Sequence, residues 1–202
     1  DGAIAVFPGQ IRKYCGGKIE IFWCPAEDER KYWKKMTWEG SPPSWQEEAV
    51  AFGYDPDERP LIMSPEGDYF IYGYNSWGTN GEFRGDTNLG LGAHMADPDV
   101  NPNYWSKQDT TIAQPSEMIA VADSRADRWW DTALEPSLRD AREWPSQRHN
   151  GGAQFLHADG HVERIRQKTA VDNTEWFRRK WNYDNMPHKK DGDWSWDDAM
   201  MD

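Results

Sequence analysis

Acidic and imidazole side chains at Asp123, His149 and Asp159 could do chemistry if the fold brings them together. Asp123 ends an apolar run that predicts a buried strand, and His149 leads into a predicted hairpin, so we expect these two side chains to approach each other. Such a pair can orient one another, ligate a cation, or form a charged hydrogen bond that ties loop ends together. Of these roles we favour the last, which serves structure alone.

A catalytic role for His149 and Asp123, as in a metal-dependent hydrolase, has less support. Catalysis by a nucleophile needs that group, a base and an oxyanion site in mutual reach. Ser124 lies beside Asp123, but no G-x-S-x-G motif surrounds it. The sequence also contains no phosphate-binding loop, dinucleotide fingerprint or H-E-x-x-H motif. We therefore expect a protein that is not an enzyme.

A second group of metal-ligating side chains lies close to Asp159. His157, Asp159 and His161 alternate, and this spacing places them on one face of a straight strand, where they could bind zinc. A predicted turn at Asp159-Gly160 interrupts that regularity. The alternative is that these are exposed histidines at a hairpin tip with no metal.

The acidic tail, residues 191–202, offers the hard oxygen ligands that calcium prefers. Asp191, Asp193 and Asp197 are the candidate ligands, although their spacing is not that of an EF-hand loop. Calcium is therefore a possible cofactor, and a solvated acidic tail is the alternative.

A hairpin near the carboxyl end must position several of these residues. Residues 153–158 and 161–166 read as strands, and Asp159-Gly160 is the dipeptide that a two-residue hairpin turn prefers. In the second strand Val162 and Ile165 are three positions apart, which breaks strict alternation. We therefore expect a bulge or a twist between them.

Further elements complete an α+β fold. Strands are predicted at residues 18–24, 68–75 and 117–123, where β-branched and aromatic residues are frequent. The apolar run in residues 117–123 predicts burial on both faces and a central position in the sheet. Short helices are predicted at residues 10–14, 27–35, 45–52 and 174–181. We expect a single domain over residues 1–202, an antiparallel β-sheet with covering helices and long aromatic loops.

Composition limits the partners and the core. The net charge of −12 argues against nucleic acid and anionic membrane surfaces as partners. The chain contains 13 Trp, 8 Tyr and 7 Phe, so we expect a core built largely from aromatic side chains. No apolar run approaches the ~20 residues that a membrane helix needs. Cys15 and Cys24 could form a disulfide or remain two unpaired thiols, and a zinc site of four cysteines is excluded.

Tryptophans in polar loops are candidates for carbohydrate binding. Indole rings stack on sugar rings while neighbouring Asp and Asn side chains bind hydroxyl groups. The candidates are Trp77, Trp105, Trp129 and Trp130, and the adjacent pair Trp129-Trp130 is the best candidate for exposure. The alternative is that these side chains fill small cores beneath the loops.

Five short motifs together resemble one known family. Nine residues separate His149 from Asp159-Gly160, which gives an H-X9-DG signature. The others are F-W-C-P at 22–25, Y-G-Y-N at 72–75, I-A-V-A-D-S at 119–124 and W-N-Y-D-N-M-P-H at 181–188. Their order resembles that of the prepilin-type, processing-associated H-X9-DG family, whose members are pseudopilin-like. The matching motif residues include His149, Asp159, Gly160, Asp123, Cys24, Pro25 and Asn75.

The resemblance implies a pilin-like fold and a non-enzymatic, surface-exposed subunit of a type II secretion or type IV pilus-like system. Family members begin with a basic leader and a long apolar helix, so this chain looks like the soluble part without that anchor, with residues 1–17 as a connector. The implied partners are other pilin-like subunits, bound through the missing amino-terminal helix. The implied location is the periplasm or cell surface, with an inner-membrane anchor. A calcium site in the tail would also fit this resemblance, and a glycan-binding module at the cell surface is the alternative function.

Overall fold

The fold combines short helices with two β-sheets, which confirms the α+β prediction. A computed structural model describes residues 7–44, 46–61, 67–78, 88–92, 107–137 and 141–188. The strands are β1 (Met36–Thr37), β2 (Glu58–Arg59), β3 (Tyr72–Asn75), β4 (Ile119–Asp123), β5 (Ala133–Leu134), β6 (Gly152–His157) and β7 (Val162–Arg166). The helices are α1 (Phe7–Arg12), α2 (Gln46–Ala51), α3 (Gln167–Ala170) and α4 (Glu175–Arg178). Within the described ranges, no helix is long and apolar enough to cross a membrane.

The main sheet contains five strands in the order β5-β3-β4-β6-β7. β4 lies at its centre, as the apolar run in residues 117–123 predicts. The pairs β3-β4, β4-β6 and β6-β7 are antiparallel. β5 instead runs parallel to β3, with Tyr74 opposite Ala133 and Asn75 opposite Leu134. The prediction of an antiparallel sheet is therefore wrong at this edge, because the chain leaves β4, crosses β3 and adds a short strand on its far side.

The segment predicted as a strand at residues 18–24 is a 3-10 turn at Glu20–Phe22. The Phe22 N–H donates to the Ile19 carbonyl at 2.9 Å. Ile19 and Phe22 are buried, whereas Ile21 is 46% exposed. Since side chains three apart lie on the same side of a 3-10 turn, the apolar pattern reflects burial at a period of three rather than two. The helix predicted at residues 27–35 is likewise reduced to a 3-10 turn at Glu29–Lys31.

The carboxyl-terminal hairpin has a three-residue loop rather than the predicted two-residue turn. The Gly160 N–H donates to the His157 carbonyl at 2.9 Å, and the His157 N–H donates to the His161 carbonyl at 2.9 Å. Gly160 has a φ of 92°, which glycine adopts without strain at the end of such a loop. No bulge separates Val162 from Ile165, because β7 pairs with β6 in regular register and the two side chains simply lie on opposite faces. The irregularity falls in β4, between Ile119 and Val121.

Two separate cores cover opposite faces of the main sheet. Alternation along β6 and β3 places Phe155 on one face and Tyr72 on the other. The first core consists of Trp77, Leu89, Ile119, Ala122, Leu134, Ala153, Phe155, Ile165, Ala170 and Trp181. The second consists of Ile19, Phe22, Trp33, Ala49, Tyr54, Leu61 and Phe70, with Tyr72 packed against it. The carboxyl-terminal helices close the first face, and the amino-terminal segment covers part of the second. The helix predicted at residues 174–181 is present as α4 followed by a 3-10 turn at Arg179–Trp181.

A buried ion pair anchors the amino-terminal segment on the second face. Arg12, at the end of α1, donates to Glu58 Oε1 at 2.7 Å, and both side chains are almost fully buried. The guanidinium also lies 5.3 Å from the ring centroid of Trp33 and 5.2 Å from that of Tyr54. The helix predicted at residues 10–14 is present but begins earlier, and this pairing makes it part of the packed fold.

Asp131 carries a buried carboxylate next to the second core. Its Oδ2 accepts the Phe70 N–H at 2.9 Å and its Oδ1 accepts the Asp127 N–H at 3.1 Å. These bonds favour the ionised form, but burial dominates and raises the pKa of Asp131 to about 7. Asp131 thus holds the loop before β5 against the sheet, although burial makes the ionised form of its carboxyl unfavourable.

Stability should depend on pH through this carboxylate, and Asp131→Asn should remove that dependence. The ordinary pKa is 3.8 and the folded value is about 7. Because the folded pKa is raised, the stabilising contribution is fully present below pH 3.8 and is lost as the pH rises towards about 7. Between these limits the free energy of unfolding of the wild type should fall relative to Asp131→Asn by up to about 4 kcal/mol. Urea denaturation of the wild type and the variant across this pH range measures the difference, and Asp57→Asn, at an exposed position, is the control. A difference in free energy of unfolding that does not change with pH would contradict the prediction.

Candidate functional site

Three side chains from distant parts of the sequence meet at one end of the main sheet. Asp123 is the last residue of β4, Cys24 follows the 3-10 turn at Glu20–Phe22, and His149 lies in the turn before β6. His149 Nε2 lies 3.1 Å from Asp123 Oδ2 and 3.5 Å from Cys24 Sγ. Cys24 and Asp123 are buried and His149 is half-buried. Asp123 and His149 therefore approach each other as expected, and Cys24 joins them.

A hydrogen-bonded network holds the Asp123 carboxylate in place. The Gln154 N–H donates to Asp123 Oδ2 at 2.7 Å, and Arg148 Nη1 lies 3.7 Å from Oδ1. Arg148 is only 5% exposed; it donates to the carbonyls of Ile71 and Ser124 and lies 3.2 Å from Glu27 Oε2. Buried charges are tolerated when they are paired and hydrogen-bonded, so each member of this network depends on the others.

The arrangement at His149 differs from that of a catalytic triad. In a triad the two ring nitrogens have separate partners, with the nucleophile on one and the orienting carboxylate on the other. Here a single nitrogen, Nε2, faces both Asp123 and Cys24. Arg148 also borders a polar pocket of about 500 Å³ lined by Glu27, Lys31, Arg125 and other residues, but Cys24 and His149 do not line it. This geometry suits a structural clamp or a cation site better than acid–base relay.

The Asp159-Gly160 part of the H-X9-DG motif lies apart from this cluster. It occupies the hairpin loop at the opposite end of the six-residue strand β6 from His149, roughly 20 Å away. Asp159 Oδ1 contacts His161 Nδ1 at 2.6 Å, and hydrogen bonds from the His161 backbone and side chain lower the pKa of Asp159. The two halves of the motif therefore have separate roles at the two ends of one strand.

Asn75 and Gly73 have packing roles in the first core. The fully buried Asn75 side chain donates to the carbonyls of Ile119 at 2.8 Å and Trp181 at 3.1 Å, and accepts the Trp77 N–H at 3.2 Å. A Cβ atom at Gly73 would lie 2.6 Å from the Ala133 carbonyl oxygen, so only glycine lets β5 approach β3 there. Pro25, the neighbour of Cys24 in its motif, is exposed.

A second group of possible metal ligands contains His157, His161 and Glu163. His157 Nε2 lies 3.0 Å from Glu163 Oε1, and the two imidazole rings stack with centroids 4.3 Å apart. Burial and the neighbouring His161 lower the pKa of His157. This group differs in one member from the set considered in the sequence, because the loop turns Asp159 onto His161 Nδ1 and Glu163 from β7 lies beside His157.

The described tryptophans that were predicted to bind glycans are less exposed to solvent than expected. Trp77 is fully buried in the first core, so its assignment as a glycan contact is wrong. Trp129 is half-buried, with the Arg142 guanidinium 3.7 Å from its ring centroid, and Trp130 is half-buried against the second core. Trp105 lies outside the described residues, as do the proposed calcium ligands Asp191, Asp193 and Asp197.

Both cysteines are free thiols in the structure. Cys24 is buried and Cys15 is half-buried, at the end of a 3-10 turn. Of the two alternatives left open by the sequence, the structure therefore has the unpaired thiols. The Tyr32 hydroxyl donates to the Cys24 carbonyl at 2.9 Å and so helps to hold this residue towards His149.

An apolar groove runs across the second face of the sheet. It has a volume of about 450 Å³ and is lined by residues that include Ile11, Ile21, Tyr72, Tyr74, Val121 and Leu156. Ile11, Ile21 and Leu156 are each more than a third exposed, and Val162, opposite Leu156 in β7, is 59% exposed. The described part of the chain thus leaves an apolar strip of this face open to solvent.

Comparison with models of protein families, with curated proteins and with solved structures gives no significant match for this chain. The likeness to pseudopilin-like proteins therefore depends on the motif residues of the sequence.

The two aspartates of the motifs should differ sharply in their effect on stability. Asp123→Ala would leave the Gln154 N–H without its acceptor and remove one of the two carboxylates around Arg148, and should cost about 3–5 kcal/mol in free energy of unfolding. Asp159→Ala is the matched control, since that carboxylate is exposed at the hairpin loop and its loss should matter far less. Urea denaturation of both variants measures the difference. Equal decreases in free energy of unfolding would show that the fold does not depend on the Asp123 carboxylate.

Proposed function

We propose that this protein is a non-enzymatic, pilin-like subunit of a type II secretion or type IV pilus-like system. The observation that carries the proposal is the apolar groove on the second face of the sheet. An open sheet face lined by Val121 and Leu156 needs a cover, and an apolar helix laid across the strands is one that an α+β fold accepts. The pseudopilin-like motifs supply the identity of that cover, an amino-terminal helix of the same kind of subunit.

The groove suits side chains of such a helix rather than a small polar ligand. Its walls are aliphatic and aromatic, with Ile11 and Ile21 on one side and Val121 and Leu156 on the floor. The strip continues to Val162, so the apolar surface extends along the hairpin beyond the groove. Burying apolar area contributes about 25 cal/mol per Å² of favourable free energy, so an apolar partner would bind this surface favourably.

The cluster of Cys24, Asp123 and His149 supports the same proposal by holding one wall of the groove. Cys24 lies two residues beyond Phe22, which lines the groove together with Ile21. Asp123 is paired across the sheet with Tyr72, which also lines the groove. In this proposal the motif residues maintain the shape of the helix-binding face and take no part in a reaction.

The proposal places the protein in the periplasm or at the cell surface, anchored to the inner membrane through that helix. Its partners would be other pilin-like subunits assembled through their helices. The negative charge of the chain fits a role that involves no nucleic acid. Calcium binding by the acidic tail and glycan binding by Trp105 and the Trp129-Trp130 pair stay predictions from the sequence.

Labelling of an introduced cysteine tests the proposal. In a Cys15→Ser background, Leu156→Cys places a thiol on the floor of the groove and Trp176→Cys places one at a 53% exposed position on α4. The complete gene product, extracted from membranes in detergent, is compared with residues 1–202 alone. We expect maleimide to label Leu156→Cys at least about tenfold more slowly in the complete product, because a seated helix would exclude the reagent.

The Trp176→Cys control should react at the same rate in both proteins. The gene upstream of Asp1 should encode a basic leader and an apolar stretch of about 20 residues. Equal labelling of Leu156→Cys in the two proteins, or an upstream sequence without that stretch, would overturn the assignment.

A further inference from the structure

Cys24, Asp123 and His149 direct three kinds of metal-ligating atom towards one point. His149 Nε2 lies 3.1 Å from Asp123 Oδ2 and 3.5 Å from Cys24 Sγ, and the three atoms lie within 4.8 Å of one another. Ordinary bond lengths around a tetrahedral zinc ion separate a nitrogen ligand from an oxygen ligand by roughly 3.4 Å and from a sulfur ligand by roughly 3.6 Å. We propose that these three side chains form a zinc-binding site.

The chemistry of the three ligands selects zinc over harder cations. Calcium and magnesium prefer sites made of oxygen atoms, whereas a thiolate and an imidazole suit zinc. Zinc binding would release the proton of the Cys24 thiol, and the resulting thiolate and the Asp123 carboxylate would together balance the charge of a divalent ion. The nearby positive charge of Arg148 is already matched by Glu27, 3.2 Å away.

Surrounding hydrogen bonds fix the Asp123 carboxylate and the backbone that carries His149. Asp123 Oδ2 accepts the Gln154 N–H at 2.7 Å, which fixes the plane of the carboxylate. The backbone N–H of His149 donates to the Gly152 carbonyl at 3.0 Å, and the backbone carbonyl of His149 accepts from Arg164 Nε at 2.8 Å. Outer hydrogen bonds of this kind orient metal ligands and tune their affinity.

The fourth position of the ion would be filled by water. The His149 side chain is 23% exposed while that of Asp123 is 1% exposed, so solvent reaches the cluster from the histidine side. Bound there, zinc would join the amino-terminal segment, through Cys24, to β4 and to the turn before β6. The zinc site does not depend on the pilin-like assignment, because its ligands and geometry follow from the fold alone.

Cobalt titration of the reduced, metal-free protein tests the site. Co²⁺ replaces zinc in such sites, and a cysteine ligand gives a thiolate-to-cobalt charge-transfer band in the near ultraviolet. We expect this band to reach its maximum at one equivalent of Co²⁺ and to disappear when Zn²⁺ is added. Cys24→Ser should abolish the band, and His149→Gln should weaken zinc binding by at least about 100-fold, beyond what loss of an outer hydrogen bond costs.

Two matched controls separate this site from the other candidates. Cys15→Ser removes the second thiol and should leave the band unchanged, and His157→Gln removes the buried ligand of the hairpin group and should also leave it unchanged. X-ray absorption of the zinc-loaded wild type needs no variant that must fold, and it should show one sulfur with nitrogen or oxygen neighbours. Absence of the charge-transfer band, its loss in Cys15→Ser or His157→Gln, or a zinc environment without sulfur would each overturn the proposal.

Discussion

The buried carboxylate of Asp123 is the interaction on which much of the structure depends. It ends the central strand, and it is bonded by β6 through Gln154 and contacted by the turn before β6 through His149. Arg148 extends the same network to Glu27 in the amino-terminal segment. A carboxylate that is 1% exposed must be paired to stay charged, so the three segments around it are constrained to meet there. That constraint brings Cys24 beside His149, although 125 residues separate them in sequence.

The two faces of the main sheet are covered in different ways. The first core is closed by Trp181 and its neighbours, and the Trp181 indole donates to the Ala170 carbonyl at 2.8 Å. Among the residues that the structure describes, the second face is covered over only part of its width by the amino-terminal segment, which is anchored by the Arg12–Glu58 ion pair. The remaining strip is apolar, and this difference between the faces is the physical basis for assigning a helix to it.

The motif residues have three different structural roles. Gly73 and Asn75 allow strands to approach and satisfy buried backbone groups. Asp159 and Gly160 shape the hairpin loop, where Gly160 adopts a positive φ. Cys24, Asp123 and His149 form a cluster whose atoms are positioned to ligate a cation. The motifs that together resemble one family in the sequence therefore differ in the fold: some residues shape a turn, some allow close packing, and three form this cluster.

The sequence by itself determined the local features of this protein: an apolar run long enough for the central strand β4, a hairpin marked by Asp159-Gly160, and short helices near both ends. These follow from side-chain period and backbone preference, which act over a few residues. It did not reveal that residues 18–24 form a turn, that β5 pairs parallel to β3, or that Trp77 is buried, because each depends on which distant surface covers the segment. Only the tertiary structure decided that Cys24 joins the expected pair of Asp123 and His149, through contact with His149, while Asp159 turns to His161. The physical reason is that the position of Cys24 depends on packing and pairing between residues far apart in the chain, such as Arg148 with Glu27, and such contacts leave no regular spacing in the sequence.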